Sequence, residues 1–372
     1  MNRLKKLFSK EPILIISGIL AFISCFFIHP DRKYIDYINF RTLVLLFCLM
    51  AVTCGLKKAG AFDYVSHKLI SSASHARRAV TLLTIFSFLL SMFVTNDVAL
   101  VTMVPLTLIV LNSVSENTII LSLVEETIAA NLGSMLTPFG NPQNLFLSST
   151  YNISFMEFIK LTAFYTILSF ILIMLQMFLI KNESLNSTDK DQGVSEKINI
   201  DVRSIILYSV LFIVAILSIL RILNYWILLG IIMIFFIIYD FRLLKEVNYS
   251  LLFTFLFFFI LIGNLGRIDA IYDFLKKMIE GREVITSILC SQIMSNVPCA
   301  ILLSGFTDKG TSLIIGTNLG GLGTLIASMA SVITFQLYIK KEGAKPLKYI
   351  AVFTIMNLID LAILLALHFI IR

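Results

Sequence analysis

Apolar stretches of roughly 20 residues, the length that crosses the hydrocarbon core of a bilayer, follow one another along most of the chain, with polar residues gathered between them. The first, residues 12 to 28, comes after a basic start, MNRLKKLFSK. No small-x-small cleavage site follows it, so a retained first helix is expected rather than a removed signal. Residues 39 to 56 form the next span, and a polar amphipathic connection at 57 to 78 is expected along a membrane face. Residues 79 to 112 hold two apolar legs of about 16 residues, roughly 24 Å each at 1.5 Å per residue, on either side of Thr95-Asn96-Asp97. These are short for two crossings and suit a re-entrant hairpin with a polar tip. A span at 118 to 150 and a crossing at 155 to 180 complete the first half.

The span at 118 to 150 contains ANLGSMLTPFGNPQNLF, which sets glycine, proline and asparagine inside an apolar run. In hydrocarbon every backbone N–H and C=O must be bonded, so unwound backbone survives only inside protein or against a polar cavity. A second such stretch, TNLGGLGTLIAS, occupies residues 317 to 328, and Asn131-Leu132-Gly133-Ser134 aligns without a gap on Asn318-Leu319-Gly320-Gly321. After a polar linker at 181 to 201 and crossings at 203 to 220 and 225 to 239, the earlier order returns. It runs as a crossing from 249, an amphipathic connection at 266 to 283, apolar legs around Ser295-Asn296-Val297-Pro298, a broken span at 311 to 338 and a last crossing at 348 to 370. The expected division is residues 1–38 as first helix and outer loop, 39–180 as repeat 1, 181–248 as cytoplasmic linker with two connecting helices, and 249–372 as repeat 2. An odd number of passages separates the copies, so the repeat is inverted, the organisation of a secondary transporter. The expected fold is an all-α polytopic membrane protein with about nine crossings, two re-entrant hairpins and two broken helices.

Composition agrees with this reading. Hydrophobic residues make up 58% of the 372 and charged residues 14%, and the mean hydropathy is +0.91, which excludes a soluble globule with a polar coat. The net charge of +7 lies in loops, with a modest majority of Lys and Arg on the cytoplasmic side if the N-terminus is inside; nucleic-acid binding is not indicated. That orientation places the C-terminus outside a bacterial-type cytoplasmic membrane. The five cysteines show neither metal-ligand nor redox spacing. No HExxH, GxSxG or paired-Asp motif lies in the spans, so an enzyme is not expected.

At the first hairpin tip Thr95 and Asn96 offer neutral oxygens, and Asp97 offers a carboxylate that is costly at membrane depth without a cation, proton or partner. If the tip meets the unwound segment at Gly140 and Asn141, hydroxyl, amide and backbone oxygens converge on a sodium ion, or Asp97 itself carries the coupling proton. The alternative is that Thr-Asn-Asp only turns the hairpin. In the second copy Ser295 and Asn296 match Thr95 and Asn96, but Val297 replaces the carboxylate. A cation site is therefore placed around Thr95, Asn96, Asp97, Gly140 and Asn141, with Gly321 and Thr324 as the matching positions. Asn296, Ser295, Thr317 and Asn318, with Asn96, Asn141 and Gln143, are assigned to a small anionic substrate. N–H groups where the half-helices restart, near Gly140 to Gln143 and Gly321 to Thr324, also favour negative charge. Glu126, or its neighbour Glu125, is a candidate proton carrier, against an interfacial carboxylate paired with a loop Lys or Arg. Asp360 is expected to meet a structural partner such as Arg41 or to make an interhelical bond, and Gln292 to orient the second tip.

The stretches TNDVALVTMVPL, ANLGSMLTPFGNPQNLFL, SQIMSNVPCAILLSGFTD and GTNLGGLGTLIASMAS resemble the ion transporter superfamily, the citrate-transporter-like domain. That grouping includes divalent anion/sodium symporters, citrate-metal carriers and arsenite efflux permeases. The resemblance implies an inverted-repeat carrier, usually a homodimer, whose mobile part moves elevator-fashion against a scaffold. In the dicarboxylate symporters both tips read Ser-Asn-Thr and bind sodium and carboxylate. Here they read Thr95-Asn96-Asp97 and Ser295-Asn296-Val297, and Asn-Asp followed by Val-Ala-Leu is closer to the arsenite-permease and citrate-metal side. The expected function is secondary transport of a small citrate- or dicarboxylate-like anion or oxyanion, coupled to Na+ or H+ and with no other cofactor. The alternative is efflux of arsenite or antimonite.

Overall fold

In the computed structural model, residues 11–62, 64–65, 75–185 and 201–371 are described. The basic start, the middle of the connection at 57 to 78 and most of the linker at 181 to 201 lie outside the described residues. The rest is helical, with one isolated bridge, between His75 and Ser184, as its only extended pairing among the described residues. Before the first break come α1 (Pro12–Phe27), a short α2 (Lys33–Tyr37), α3 (Phe40–Lys58), the hairpin α4 (Ala76–Leu90) and α5 (Asn96–Val110), and α6 (Glu116–Gly133). After it come α7 (Pro142–Thr150), α8 (Phe155–Gln176), α9 (Val202–Ile219), α10 (Tyr225–Tyr239), α11 (Tyr249–Leu265) and α12 (Asp269–Ile279). A second hairpin, α13 (Glu283–Met294) and α14 (Asn296–Ser304), precedes α15 (Gly310–Leu319), α16 (Met329–Tyr338) and α17 (Pro346–Ile371).

Side chains that punctuate the sequence start several of these helices. Asn39 caps α3 by accepting from Thr42 N, and Asp201, Asn224 and Asn248 cap α9, α10 and α11 in the same manner. Ser154 and Glu157 form a reciprocal capping box at α8, satisfying two of the N–H groups that every helix start leaves open. Helices α3, α6 with its short 3-10 extension to Leu136, α8, α9 and α17 are each long and apolar enough to cross a membrane. Helix α11 bends by 106° into the amphipathic α12. The protein is an all-α polytopic membrane protein.

Burial ranks these helices. The apolar window of α6 is 89% buried, whereas those of α9 and α17 are 28% buried. Helix α6 is therefore surrounded by protein, and α9 and α17 keep a broad apolar face for lipid. Helix α6 packs against α4, α5, α8, α16 and α17. Small residues let this happen. A Cβ on Gly133, at the end of α6, would lie 2.2 Å from the Phe88 carbonyl oxygen of α4, so only glycine permits that approach.

Contacts between distant residues sort the helix ends onto two sides. On one side Glu183 accepts from Ser115 N, Ser115 Oγ and Thr118 Oγ1, Ala76 N donates to Glu183 O, and Tyr338 and Lys341 reach Glu116. Hydroxyl donors from Thr118 and Ser115 hold the Glu183 carboxyl below its ordinary range. The folded form thus takes up that proton less readily than the unfolded chain, and the clasp weakens as pH falls through the carboxylate range. On the other side Tyr151 OH donates to Ser304 O and Thr307 O, and Arg221 donates to Asn152. The open ends of α4 and α5 lie on the first side and those of α13 and α14 on the second, so the two hairpins enter from opposite sides. Their packing is crossed: α5 lies against α16, and α14 against α7.

Two glycines test this architecture. Gly133→Ala is expected to cost about 1–3 kcal/mol or more, because backbone rather than a movable side chain blocks the new methyl. Gly230→Ala in α10, where nothing lies within 4 Å of the added Cβ, should instead gain about 0.5–1 kcal/mol from helix propensity. Thermal unfolding of the two purified variants should therefore move in opposite directions.

Candidate functional site

Both helical breaks lie in the middle of the molecule, each held by the hairpin of its own half. At the first break α6 ends in a turn at Ser134–Leu136, residues 137 to 141 are extended or bent, and Pro142 at the first helical position restarts the chain. The tip bonds directly to this unwound backbone: Asn96 N donates to Gly140 O (3.2 Å), and Thr137 Oγ1 donates to Met92 O (2.6 Å). Gly140 is again obligatory, since a Cβ there would lie 2.3 Å from Ser134 O.

Asparagine side chains join the breaks to each other. Asn96 Nδ2 donates to Asn131 Oδ1 (2.8 Å), which also accepts from Ser328 Oγ (3.0 Å), while Asn131 Nδ2 donates to Ser331 Oγ (3.3 Å). Asn318, the position aligned with Asn131, donates to Asn144 Oδ1 (2.6 Å) at the start of α7. Each first half-helix therefore ends in an asparagine that bonds the restart of the opposite half. Asn141 donates to Ser134 Oγ (2.5 Å), and Asn144 donates to Ser134 O and Thr137 O (3.3 Å each).

The residues singled out from sequence fall into three groups. Thr95, Asp97 and Asn141 line a cavity of about 120 Å³ that runs between α3 and α5 toward Glu246 and Asn248 on the first side. Asn96 is turned away from it, into the asparagine network. Gln143 is fully buried and neither its amide nitrogen nor its amide oxygen has a partner among the described residues; Asn318 Oδ1 is likewise unpartnered there. By contrast, Thr317 Oγ1 donates within its own helix to Leu313 O (2.7 Å), and Asn318 Nδ2 is committed to Ile314 O as well as Asn144. Asn296 is buried beside Gly321, and Ser295 sits at φ +75°, a conformation that costs a non-glycine residue about 1–3 kcal/mol and clusters at functional sites.

Two expectations need correction, and a third, which offered Asp360 two kinds of partner, is met by the second of them. The second restart is not at Gly321 to Thr324. The chain stays unwound until a turn at Leu325–Ala327, and α16 starts at Met329 with Ser328 at its cap. Gln292 explains the delay: its Nε2 donates to Gly320 O and Leu322 O, and its Oε1 accepts from Thr324 N (2.9 Å). With Gly321 N bonded to Asn318 O, the backbone N–H groups of Gly321 and Thr324 already have acceptors. Second, Glu125 and Glu126 are not interfacial and pair with no Lys or Arg among the described residues; both are buried, and Glu126 accepts from Ser87 Oγ (3.0 Å) and Thr107 Oγ1 (2.9 Å), one on each hairpin leg. Third, Arg41 does not reach Asp360. It donates to Ser218 O and Ile219 O, and Asp360 takes the interhelical alternative by accepting from Gln176 Nε2 (2.6 Å).

The sequence left Asn144, Ser328, Ser331 and Glu246 unassigned. The first three carry a readable signal, polar residues where a broken helix restarts, whereas Glu246 belongs to a loop and reaches the cavity only through the fold. A second cavity, about 440 Å³, lies on the other side of α7 between Asn39, Thr150, Ser304 and Gly305. Leu145 borders the cavity at Asp97 and Phe146 borders this larger one, so the apolar face of α7 separates the two. Among the described lining residues, Asp97 and Glu246 in one and Asp36 in the other are acidic, and none is Lys or Arg.

The chain matches a family model described as citrate transporter over residues 7–308. It is 35% identical over 305 residues to an uncharacterized transporter of Methanocaldococcus jannaschii, covering 81% of each chain. To the inner membrane protein YbiR of Escherichia coli it is 29% identical over 330 residues, 87% of this chain and 86% of that one. A silicon efflux transporter of Oryza sativa subsp. japonica is 34% identical over 134 residues, 36% of this chain and 27% of the other. The family match takes in both hairpins and the first break, the elements that build the central site, and the chain is accordingly a membrane transporter of the citrate transporter family.

Proposed function

We propose that the protein is a cation-coupled secondary carrier for a small, oxygen-rich, uncharged solute of the arsenite, antimonite or silicic acid kind. The observation that carries this reading is that the polar side chains lining the two cavities are hydroxyls, amides and carboxylates, set among apolar ones, with no basic side chain among the described residues. A bare anion entering either cavity would meet like charge in a low dielectric. A neutral hydroxylated acid meets hydrogen-bonding partners and apolar wall without that repulsion, and the amide of Gln143 and Oδ1 of Asn318, unpartnered among the described residues, offer both donors and an acceptor at the centre. The relative named for silicon efflux agrees with a substrate of this class.

Asp97 is the cation's partner in this reading. It stands on the cavity wall with Thr95 and Asn141, so a sodium ion there would draw on a carboxylate, a hydroxyl and an amide oxygen; a coupling proton would bind the carboxylate itself. The recurring element order, with hairpins entering from opposite sides, supports an inverted repeat and alternating access at α7. The reading includes a homodimer in a cell membrane with the N-terminus cytoplasmic and the C-terminus outside.

A second reading, transport of a citrate-like anion, draws support from one place. Arg41 and Arg221 border a narrow crevice that touches Pro138 and Ser148 beside the first break, and neither arginine has a carboxylate among the described residues. The family model's description points the same way.

Expression in arsenite-sensitive cells should separate the two. The first reading expects resistance and lower cell-associated arsenite; accumulation of citrate that is lost in Arg41→Gln, with no resistance, would establish the second. For coupling, Asp97→Asn should weaken the dependence of transport on its driving cation by about 10- to 100-fold, the worth of one charge-assisted contact of about 1.5–3 kcal/mol. Flux measured against sodium and pH gradients checks this, and an unchanged cation dependence would remove Asp97 from the role.

A further inference from the structure

Away from both cavities, a second set of buried oxygens lies where α6, α8 and α17 meet. Glu125 on α6 and Asp360 on α17 are both fully buried where these two helices pack, and the charge of Asp360 bears on Glu125. Asn357, one turn before Asp360, is also fully buried, and Gln176 closes the group from the end of α8 through its 2.6 Å bond to Asp360 Oδ1. Both carboxylate oxygens of Glu125, Asp360 Oδ2, Asn357 Oδ1 and Gln176 Oε1 have no hydrogen-bond partner among the described residues. The two amide nitrogens are already used, by Phe353 O for Asn357 and by Asp360 for Gln176.

Every unpartnered atom in this group is an acceptor, so what the cluster lacks is hydrogen-bond donors. Positive charge does not come from the surroundings. None of the four ion pairs among the described residues includes Glu125 or Asp360. The titratable groups on the packed elements are otherwise occupied: Glu126 with Ser87 and Thr107, His368 with Tyr165, Glu116 with Tyr338 and Lys341, and Arg77 with Ile180 O. Tyr349, on α17, stands toward Thr127 and Glu126. Two ionised carboxylates sharing a dry interior with no cation would cost several kcal/mol each.

We propose that Glu125 and Asp360 form a proton-binding site separate from the transport cavities. One carboxyl holds a proton, which meets the unpartnered oxygens of this group, those of Asn357 and Gln176 among them. A protonated carboxyl brings the missing donor, and two carboxylates in one site commonly share a proton in this manner. A proton needs no space, whereas a metal ion must be given a cavity, and none of the cavities described above reaches this group. Losing the proton leaves two negative charges between α6, which leads into the first break, and α17. The site thereby makes the packing of the central helix sensitive to pH. The inference stands independently of which solute is carried.

Infrared spectroscopy of the purified protein in lipid nanodiscs tests it through the carbonyl stretch of buried protonated carboxyls. At neutral pH the wild type should show such a band, Glu125→Gln and Asp360→Asn should each remove about half of it or more, and exchanging sodium for choline should leave it unchanged. A band unaltered in both variants would overturn the proposal, as would one that sodium abolishes, which would assign the site to a metal ion. If either variant fails to fold, isotope labelling of Glu and Asp carboxyls in the unaltered chain gives the same answer: the band must shift with one label or the other, and a band that shifts with neither overturns the site.

Discussion

A bilayer offers unwound backbone no hydrogen bonds, and this protein unwinds two helices at the centre of its membrane-embedded body. Everything around the breaks follows from having to satisfy those groups internally. At the first, Asn96 N and the side chains of Thr137 and Asn144 meet freed or loop carbonyls. At the second, one glutamine does most of that work, with Gln292 accepting one N–H and donating to two carbonyls. The hairpins are thus more than polar tips: they supply the hydrogen bonds without which the breaks would be too costly at this depth. Because Asn131 and Asn318 each bond the restart of the opposite half, neither break can shift without disturbing the other.

The architecture was legible because its signals are strong and local. Apolar runs mark helices by length, and Gly, Pro and Asn inside such a run have few explanations in a membrane, so the apolar helices, both hairpins and the position of the first break could be read directly, whereas five of the described helices, or six with the bent α11–α12 pair, are long and apolar enough to cross rather than about nine. The position of the second restart could not be read directly. Its delay to Met329 depends on Gln292, about 30 residues away in sequence, and no local pattern reports such a clamp. Side-chain direction was equally hidden. Asn96 and Asp97 are neighbours, yet one belongs to the buried network and the other to the cavity wall, because successive residues at a helix start point about 100° apart.

Charge is where the three-dimensional arrangement changes the functional argument most. From sequence, Asp97 looked like one half of a cation-and-anion pair, with amides from the second half as the anion's donors. In the fold several of those donors are already bonded to protein, and the acidic groups Asp97, Glu246 and Asp36 border the approaches while the arginines stay beside a crevice. An amide that already donates to a backbone carbonyl must break that bond to serve a ligand, which removes most of the gain. Unpartnered groups such as Gln143 carry no such cost.

The difference between the two tips then bears directly on coupling. Asp97 in the first tip has Val297 as its counterpart in the second, so a cation can be held by charge on one half only. In the inverted-repeat carrier proposed here the two halves exchange roles as access alternates, and identical tips would bind the cation equally well facing either side. With one carboxylate, filling the cation site neutralises a buried charge that would otherwise oppose passage through hydrocarbon. On the proposed reading, Asp97 empty and ionised resists the transition, and Asp97 paired permits it. The residue proposed to bind the ion would thus also supply the barrier to slippage, and Val297 leaves the second tip without a carboxylate.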